Sequence, residues 1–253
     1  PINMRIVTIL LIFFLNIQVS ASENVSGNMP NHEWSFKGIT GTFDRAALQR
    51  GFKVYREVCA GCHSMRLLYY RDLIDIGFNA EEVKAISSEY TVIDGPNDEG
   101  EMYERSAKPS DHFVGPFAND QEARFSNSGS LPPDLSVITK ARVNGVNHIY
   151  NLLIGYTEPP DNFEIGEGMY YNKWIKGNQI AMAPPLDEGY VDYDDGTENT
   201  LPQLAKDVTT FLVWSAEPEL EIRKNLGIKV ILFFIILGFI VFLAKNRLWK
   251  KVR

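Results

Sequence analysis

Residues 226–244 form a stretch of 19 positions in which Lys229 is the only charge, and such a run leaves the backbone few options. In hydrocarbon every N–H and C=O must be satisfied within the segment or within a closed barrel, so an isolated apolar run folds as a helix. At about 1.5 Å per residue it spans roughly 28 Å, close to the hydrocarbon thickness of a bilayer. Lys229 stands near one end, where its stem can reach the interface. Lys245, Arg247, Lys250, Lys251 and Arg253 follow without an acidic residue, and the positive-inside rule expects this tail in the cytoplasm. The expectation is a transmembrane anchor helix over 223–246 with a basic cytoplasmic tail over 247–253. A hairpin helix buried in a soluble core would need neither the length nor the basic flank.

At the other end, Pro1, Ile2 and Asn3 precede Met4, so the natural start is expected at Met4. Arg5 is followed by an almost unbroken apolar run to Ile17, and Val19, Ser20 and Ala21 place small residues for cleavage after Ala21. That is the pattern of a secretory signal peptide over 1–21. Residues 22–222 are then expected outside the cytoplasm as a single domain, long enough to bury one core. Charge separates the same segments. Of 25 Lys and Arg residues, nine lie in 1–21 and 223–253, which leaves 16 against all 32 acids in 22–222. A domain of net charge −16 is not expected to bind nucleic acid but will draw in a basic partner.

Cys59-Ala60-Gly61-Cys62-His63 contains both cysteines of the chain, and C-x-x-C-H is the attachment signature of c-type haem. Two thiols three positions apart on a tight turn can each add to one haem vinyl group. The next imidazole, that of His63, then points at the iron as proximal ligand. A thioredoxin-like pair would require a βαβ setting, which the flanking sequence lacks. A structural zinc site would require two further soft ligands, and there is no third cysteine. One covalently bound haem c is therefore expected, and the cysteines are not available for a disulfide.

Along the domain the apolar and capping signals are helical and widely spaced. Thr42 or Asp44 opens a helix that buries Leu48, Phe52 and Tyr55 and runs to the haem motif. A second short helix is expected over 66–76, and a third, opened by a capping box at Asn79 and Glu82, ends near Tyr90. Residues 94–130 read as long surface loops. Asp134 is expected to cap a helix through Arg142, and 146–154 a helix closed by Gly155. After a loop-rich stretch to Gly196, Thr200 and Gln203 sit in capping-box register around Pro202 and open a helix through Trp214, which Pro218 interrupts before the anchor. The expected fold is mainly α: a single loop-rich c-type cytochrome domain plus one C-terminal transmembrane helix.

An electron-transfer haem takes a second protein ligand, and methionine in that place raises the potential. The candidates are Met29, Met65, Met102, Met169 and Met182. Met65, two residues past His63, cannot readily reach the opposite face of the haem. Met182 lies in Ala181-Met182-Ala183-Pro184-Pro185, where the prolines stiffen the loop that would present its sulfur. The residues themselves leave His32 and His148 as rivals, with His112 read as a solvated loop residue.

In its motifs and their order the chain resembles the cytochrome c1 family, the haem subunits of quinol–cytochrome c oxidoreductase. The likeness covers nearly all of residues 22–253. It runs through Trp34-Ser35-Phe36, Phe43-Asp44, Arg50 to Tyr55 leading into the cysteines, and Asp94-Gly95-Pro96-Asn97. It continues through Leu131-Pro132-Pro133-Asp134-Leu135, Ala141-Arg142, 152–156 with Glu158-Pro159-Pro160, Met182-Ala183-Pro184-Pro185, and Ala205-Lys206-Asp207-Val208 with Trp214. The resemblance implies that Met182 is the sixth ligand, that Arg142 pairs with a haem propionate through its donor fork, and that Tyr55 and Pro133 pack near the haem. Some bacterial members have a further cysteine pair, which this chain lacks. The resemblance also implies a one-electron relay, not an enzyme on its own, from the Rieske iron–sulfur protein to a mobile basic c-type cytochrome. It implies a cytochrome b subunit as partner, a dimeric complex and a lipid bilayer around the anchor. The compact signal favours a bacterial inner membrane, haem domain in the periplasm, over a mitochondrial one. The alternatives are an anchored c-type subunit of a terminal oxidase, a free-standing anchored carrier, or an open-site haem enzyme or gas sensor.

Overall fold

Asp44 begins the first helix because its carboxylate accepts the otherwise unpaired N–H groups of Ala46 and Ala47 at 3.0 and 3.4 Å, and helix α1 then runs Arg45–Glu57. The computed structural model describes residues 29–250; the signal peptide expected over 1–21 lies outside the described residues. Leu48, Phe52 and Tyr55, spaced for one helical face, are all buried. They face helix α5 (Leu201–Ala216), and α1 against α5 is the most extensive helix pairing among the described residues. The crossing is close at Gly51, where an added Cβ would lie 2.1 Å from the carbonyl oxygen of Asp207 and 2.8 Å from Cβ of Phe211. An aromatic cluster fills the angle: Phe211 meets Phe52 and Tyr55 with ring centroids 5.7 and 5.8 Å apart, and Phe113 stacks on Tyr70 at 4.8 Å.

Helix α2 (Ala80–Ser88) has the expected capping box between Asn79 and Glu82. Helix α4 (Gly145–Ile154) ends at Gly155 as expected and packs on α5. Four expectations are corrected. The 66–76 helix is a 3₁₀ helix confined to Tyr70–Ile76; ahead of it Leu68 N closes a single turn on Met65 O, and Arg66 N and Leu67 N are held by the Asp134 and Ser136 side chains. The 94–130 loops contain a hairpin, β1 (Thr91–Asp94) antiparallel to β2 (Tyr103–Ser106), and helix α3 (Asp120–Ser126). Residues 136–142 are a string of turns and not a helix. The carbonyl of Ser136 accepts from Ser215, and Thr139 reaches the Leu212 carbonyl, so this segment is tied to α5 while its own backbone bonds, such as Ile138 N to Leu135 O and Lys140 N to Val137 O, close short turns. Thr200 makes no side-chain cap, and the Gln203 side chain donates to Asp207 at 2.9 Å. A small pair of strands, β3 (Tyr170–Tyr171) with β4 (Gln179–Ile180), precedes the loop of Met182.

After the break at Pro218, helix α6 runs Leu220–Trp249, about 45 Å long at the rise of an α-helix. Its apolar side chains are exposed along the length, as a helix solvated by lipid requires. Its first turn is bound into the domain. Glu221 accepts from Phe43 N at 2.6 Å and from Arg45 at 2.7 Å, and Lys224 Nζ donates to the carbonyls of Phe36 and Gly41 at 2.5 and 2.9 Å.

Candidate functional site

Helix α1 delivers the chain into a single 3₁₀ turn at Cys59–Gly61, in which Cys62 N and His63 N both donate to Cys59 O, at 3.1 and 2.9 Å. Winding this tightly puts both thiols and the imidazole within one turn. Cys59 is half-buried and Cys62 exposed, and the two form no disulfide. Burial, with a smaller effect of Cys62, pushes the Cys59 thiol up to about 12.

The ring of His63 is oriented by Pro133, whose carbonyl lies 2.7 Å from Nδ1. A carbonyl only accepts, so the proton is on Nδ1 and Nε2 keeps its lone pair, the arrangement seen when an imidazole binds a metal. Burial lowers the His63 pKa, partly countered by the bond to Pro133 and by Asp134, which favours the neutral ring a metal needs. Behind it, Tyr55 donates to the His63 carbonyl at 3.3 Å. Asp134 fastens the two chain segments together by accepting from Ser64 Oγ at 2.8 Å, Arg66 N at 2.9 Å and Ser136 N at 2.8 Å. This is the physical reason it caps no helix. Two clefts of about 200 and 210 Å³ flank the turn, one lined by Cys62, Leu131, Pro132 and Pro133, the other by Phe52, Tyr55, Tyr70 and Phe113. Paired thiols, a preoriented imidazole and apolar walls together fit a covalently held haem.

The structure thus groups Cys59, Cys62, His63, Tyr55 and Pro133. Pro133, expected as packing, contributes its backbone carbonyl. Met182 and Arg142 make no hydrogen bond to this group. Met182 is half-buried, in a loop held where Tyr156 donates to the Met182 carbonyl at 3.1 Å. Arg142 is exposed, and among the described residues its guanidinium donates only to the neighbouring Ala141 carbonyl. Of the other candidate ligands, Met65 is fully buried core and Met102 is 61% exposed on the hairpin. His32 has its Nε2 3.1 Å from Asn151 and its ring edge-on to Tyr150. His148, on α4, keeps a buried Nδ1 without a hydrogen-bond partner. The sequence reading missed the fastening role of Asp134 and the Tyr156 tie to Met182; both residues stand inside motifs that carry the family resemblance.

A model of the cytochrome C1 family matches residues 34–252. A mitochondrial cytochrome c1 heme protein of Solanum tuberosum is 48% identical over 219 residues, covering 87% of this chain and 68% of the relative. Cytochrome c1 of Rhodospirillum rubrum is 40% identical over 256 aligned positions, covering 94% of each. A protein of Bradyrhizobium diazoefficiens named cytochrome b/c1 is 42% identical over 260 aligned positions, covering 94% of this chain and 38% of the longer relative.

Proposed function

Because this chain belongs to the cytochrome c1 family, we propose that it relays single electrons from a Rieske iron–sulfur protein to a mobile basic c-type cytochrome. The family carries one covalent haem c, and its members are membrane-anchored electron-transfer subunits of the cytochrome bc1 complex, not enzymes by themselves. The haem, when bound, supplies reversible one-electron chemistry at its iron. Every other requirement falls on the chain's own residues. Cys59 and Cys62 would hold the group by thioether bonds, and His63 would ligate through the Nε2 that its bond to Pro133 leaves free. Met182 would supply the second protein ligand and Arg142 a cation for a propionate. Tyr55 and Pro133 keep the His63 segment from turning. The orientation of His63 by Pro133 at 2.7 Å is the observation that carries this reading.

The partners proposed are a cytochrome b subunit, for which the b/c1 relative is the support, the iron–sulfur protein and the acceptor, in a dimeric complex. The basic tail supports a cytoplasmic C-terminus, and with the signal at 1–21 a periplasmic haem domain on a bacterial inner membrane. Extraction in mild detergent tests the assignment. The chain should co-purify with a cytochrome b, and quinol should reduce its haem only while the iron–sulfur protein is present. Purification as a lone haem protein that quinol does not reduce would instead indicate a free-standing anchored carrier.

A further inference from the structure

The first turn of α6 holds more than the helix itself, and its height in the membrane is fixed by the sequence that follows. Lys224 stands two residues before the apolar run at 226–244, so its Cα lies only about 3 Å from the edge of the hydrocarbon. Helical side chains lean toward the N-terminus, and Lys224 Nζ therefore sits on the water side of that edge, beyond its own Cα by no more than the reach of a lysine. Its two acceptors, the carbonyls of Phe36 and Gly41, bracket one turn of chain. The headgroup region on each side of a bilayer is roughly 5–7 Å deep, so a turn tied to Lys224 is held at headgroup level.

The residues of that turn suit the layer. Ile39 is 76% exposed, on a backbone that cannot turn it inward at will. Gly38 has φ +79°, and a Cβ on Gly41 would lie 1.9 Å from the Lys37 carbonyl, so the turn is tight and set. Lys37, also exposed, puts an ammonium beside the isoleucine. An apolar tip flanked by a cation is the composition of an interfacial anchor. We propose that residues 37–41 rest in the bilayer headgroup layer, with Ile39 inserted toward the acyl chains and Lys37 on lipid phosphate. The domain then meets the membrane at two points, which prevents it from swivelling about α6 and holds the haem turn at one height. This rests on α6 being the membrane anchor.

The test uses the full haem-loaded chain in vesicles of phosphatidylethanolamine and phosphatidylglycerol, a fraction of them with brominated acyl chains. With Cys59 and Cys62 bound to haem, Ile39→Cys, Ile93→Cys and Ile235→Cys each offer one reactive thiol for a fluorescent label. Ile93 is a hairpin residue of comparable exposure, 71%, and Ile235 lies within the apolar run of α6. Bromolipid should quench the label at 39 severalfold more than that at 93, and should quench the label at 235 most. Quenching at 235 with equal signals at 39 and 93 overturns the proposal and leaves the anchor intact. No quenching at 235 overturns the anchor, and the proposal with it. A label at 39 that bromolipid spares, and that is shielded only after cytochrome b is added, assigns the turn to a protein contact and also overturns the proposal.

Discussion

The imidazole of His63 illustrates how far a single side chain is decided by its neighbours in sequence and how far by its neighbours in space. Its place beside Cys59 and Cys62 is legible because covalent attachment requires the three groups on one turn. Its orientation is not legible, because the acceptor is a backbone carbonyl, that of Pro133, and every residue carries one. Asp134 shows the same limit. A carboxylate before a helical pattern reads as an N-cap because it accepts backbone N–H groups. It does accept them, but from Arg66 as well as Ser136, and a partner 68 residues away leaves no local signal. Met182 is where a residue-scale prediction separates the readings. If its sulfur is the sixth ligand, Met182→Leu should yield a haem that binds carbon monoxide and has a markedly lower reduction potential, because the thioether that favours ferrous iron is gone. Absorption spectra under carbon monoxide and a redox titration check both. Unchanged spectra and potential would transfer the role to another side chain, with the partnerless Nδ1 of His148 the first to examine.

At the scale of elements, long periodic helices were legible and short or mutually bonded segments were not. α1, α2, α4 and α5 each carry several turns of apolar spacing, so their burial follows from their own sequence. The β1–β2 hairpin alternates over four residues between polar flanks, too short a pattern to stand out, and is secured by Arg105. That guanidinium pairs with Asp94 within the hairpin and with Asp111 beyond it at 2.6 Å. The Arg105 bonds hold Asp111 well below its ordinary 3.8, at about 2. A depressed carboxyl contributes stability that is present above its unfolded pKa and is lost as pH falls through the folded value. The β1–β2 amides should therefore keep their hydrogen-exchange protection down to about pH 4 and lose it toward pH 2, a loss that Asp111→Asn should bring to neutral pH. The close crossing of α1 and α5 yields a sharper test. In Gly51→Ala the new methyl would meet the Asp207 carbonyl at 2.1 Å, and backbone cannot yield as a flexible side chain can. Overpacking of this kind costs about 1–3 kcal/mol, roughly 2–4 °C of melting temperature per kcal/mol in a domain this size. Thermal denaturation followed by circular dichroism measures it. Melting at the wild-type temperature would mean the helices separate without cost.

For the whole molecule, the charge asymmetry read from the sequence bears on how an acceptor arrives, and the structure changes which acids can take part. Two clusters stand out in the sequence: Asp98, Glu99, Glu101 and Glu104, and Asp187, Glu188, Asp192, Asp194, Asp195 and Glu198 just after Met182. The second lies close in sequence to the proposed sixth ligand, which favours it as the docking face for a basic cytochrome. Yet Asp194 is paired with Lys53 and Asp195 with Arg50, each at 2.8 and 2.7 Å respectively, and Arg50 also grips buried Asp207 at 2.8 Å. Those two acids hold the loop to α1, and their charge is largely answered within the domain. Among the described residues Asp187, Glu188 and Glu198 make no ion pair, and they are exposed, so their field extends into solvent. Changing those three to Asn and Gln should slow electron delivery to a basic cytochrome c at low ionic strength, with no change in melting temperature. The defect should fade as salt rises, since screening shortens to roughly 10 Å at about 0.1 M, and reduction by the iron–sulfur protein should be unaffected. Neutralising Asp194 and Asp195 should instead lower the melting temperature, because Arg50 and Lys53 lose partners. Stopped-flow rates across a salt series, beside melting curves, distinguish steering from stability. A second-order rate equal to wild type at low salt in the first variant would place the docking face elsewhere on this acidic domain.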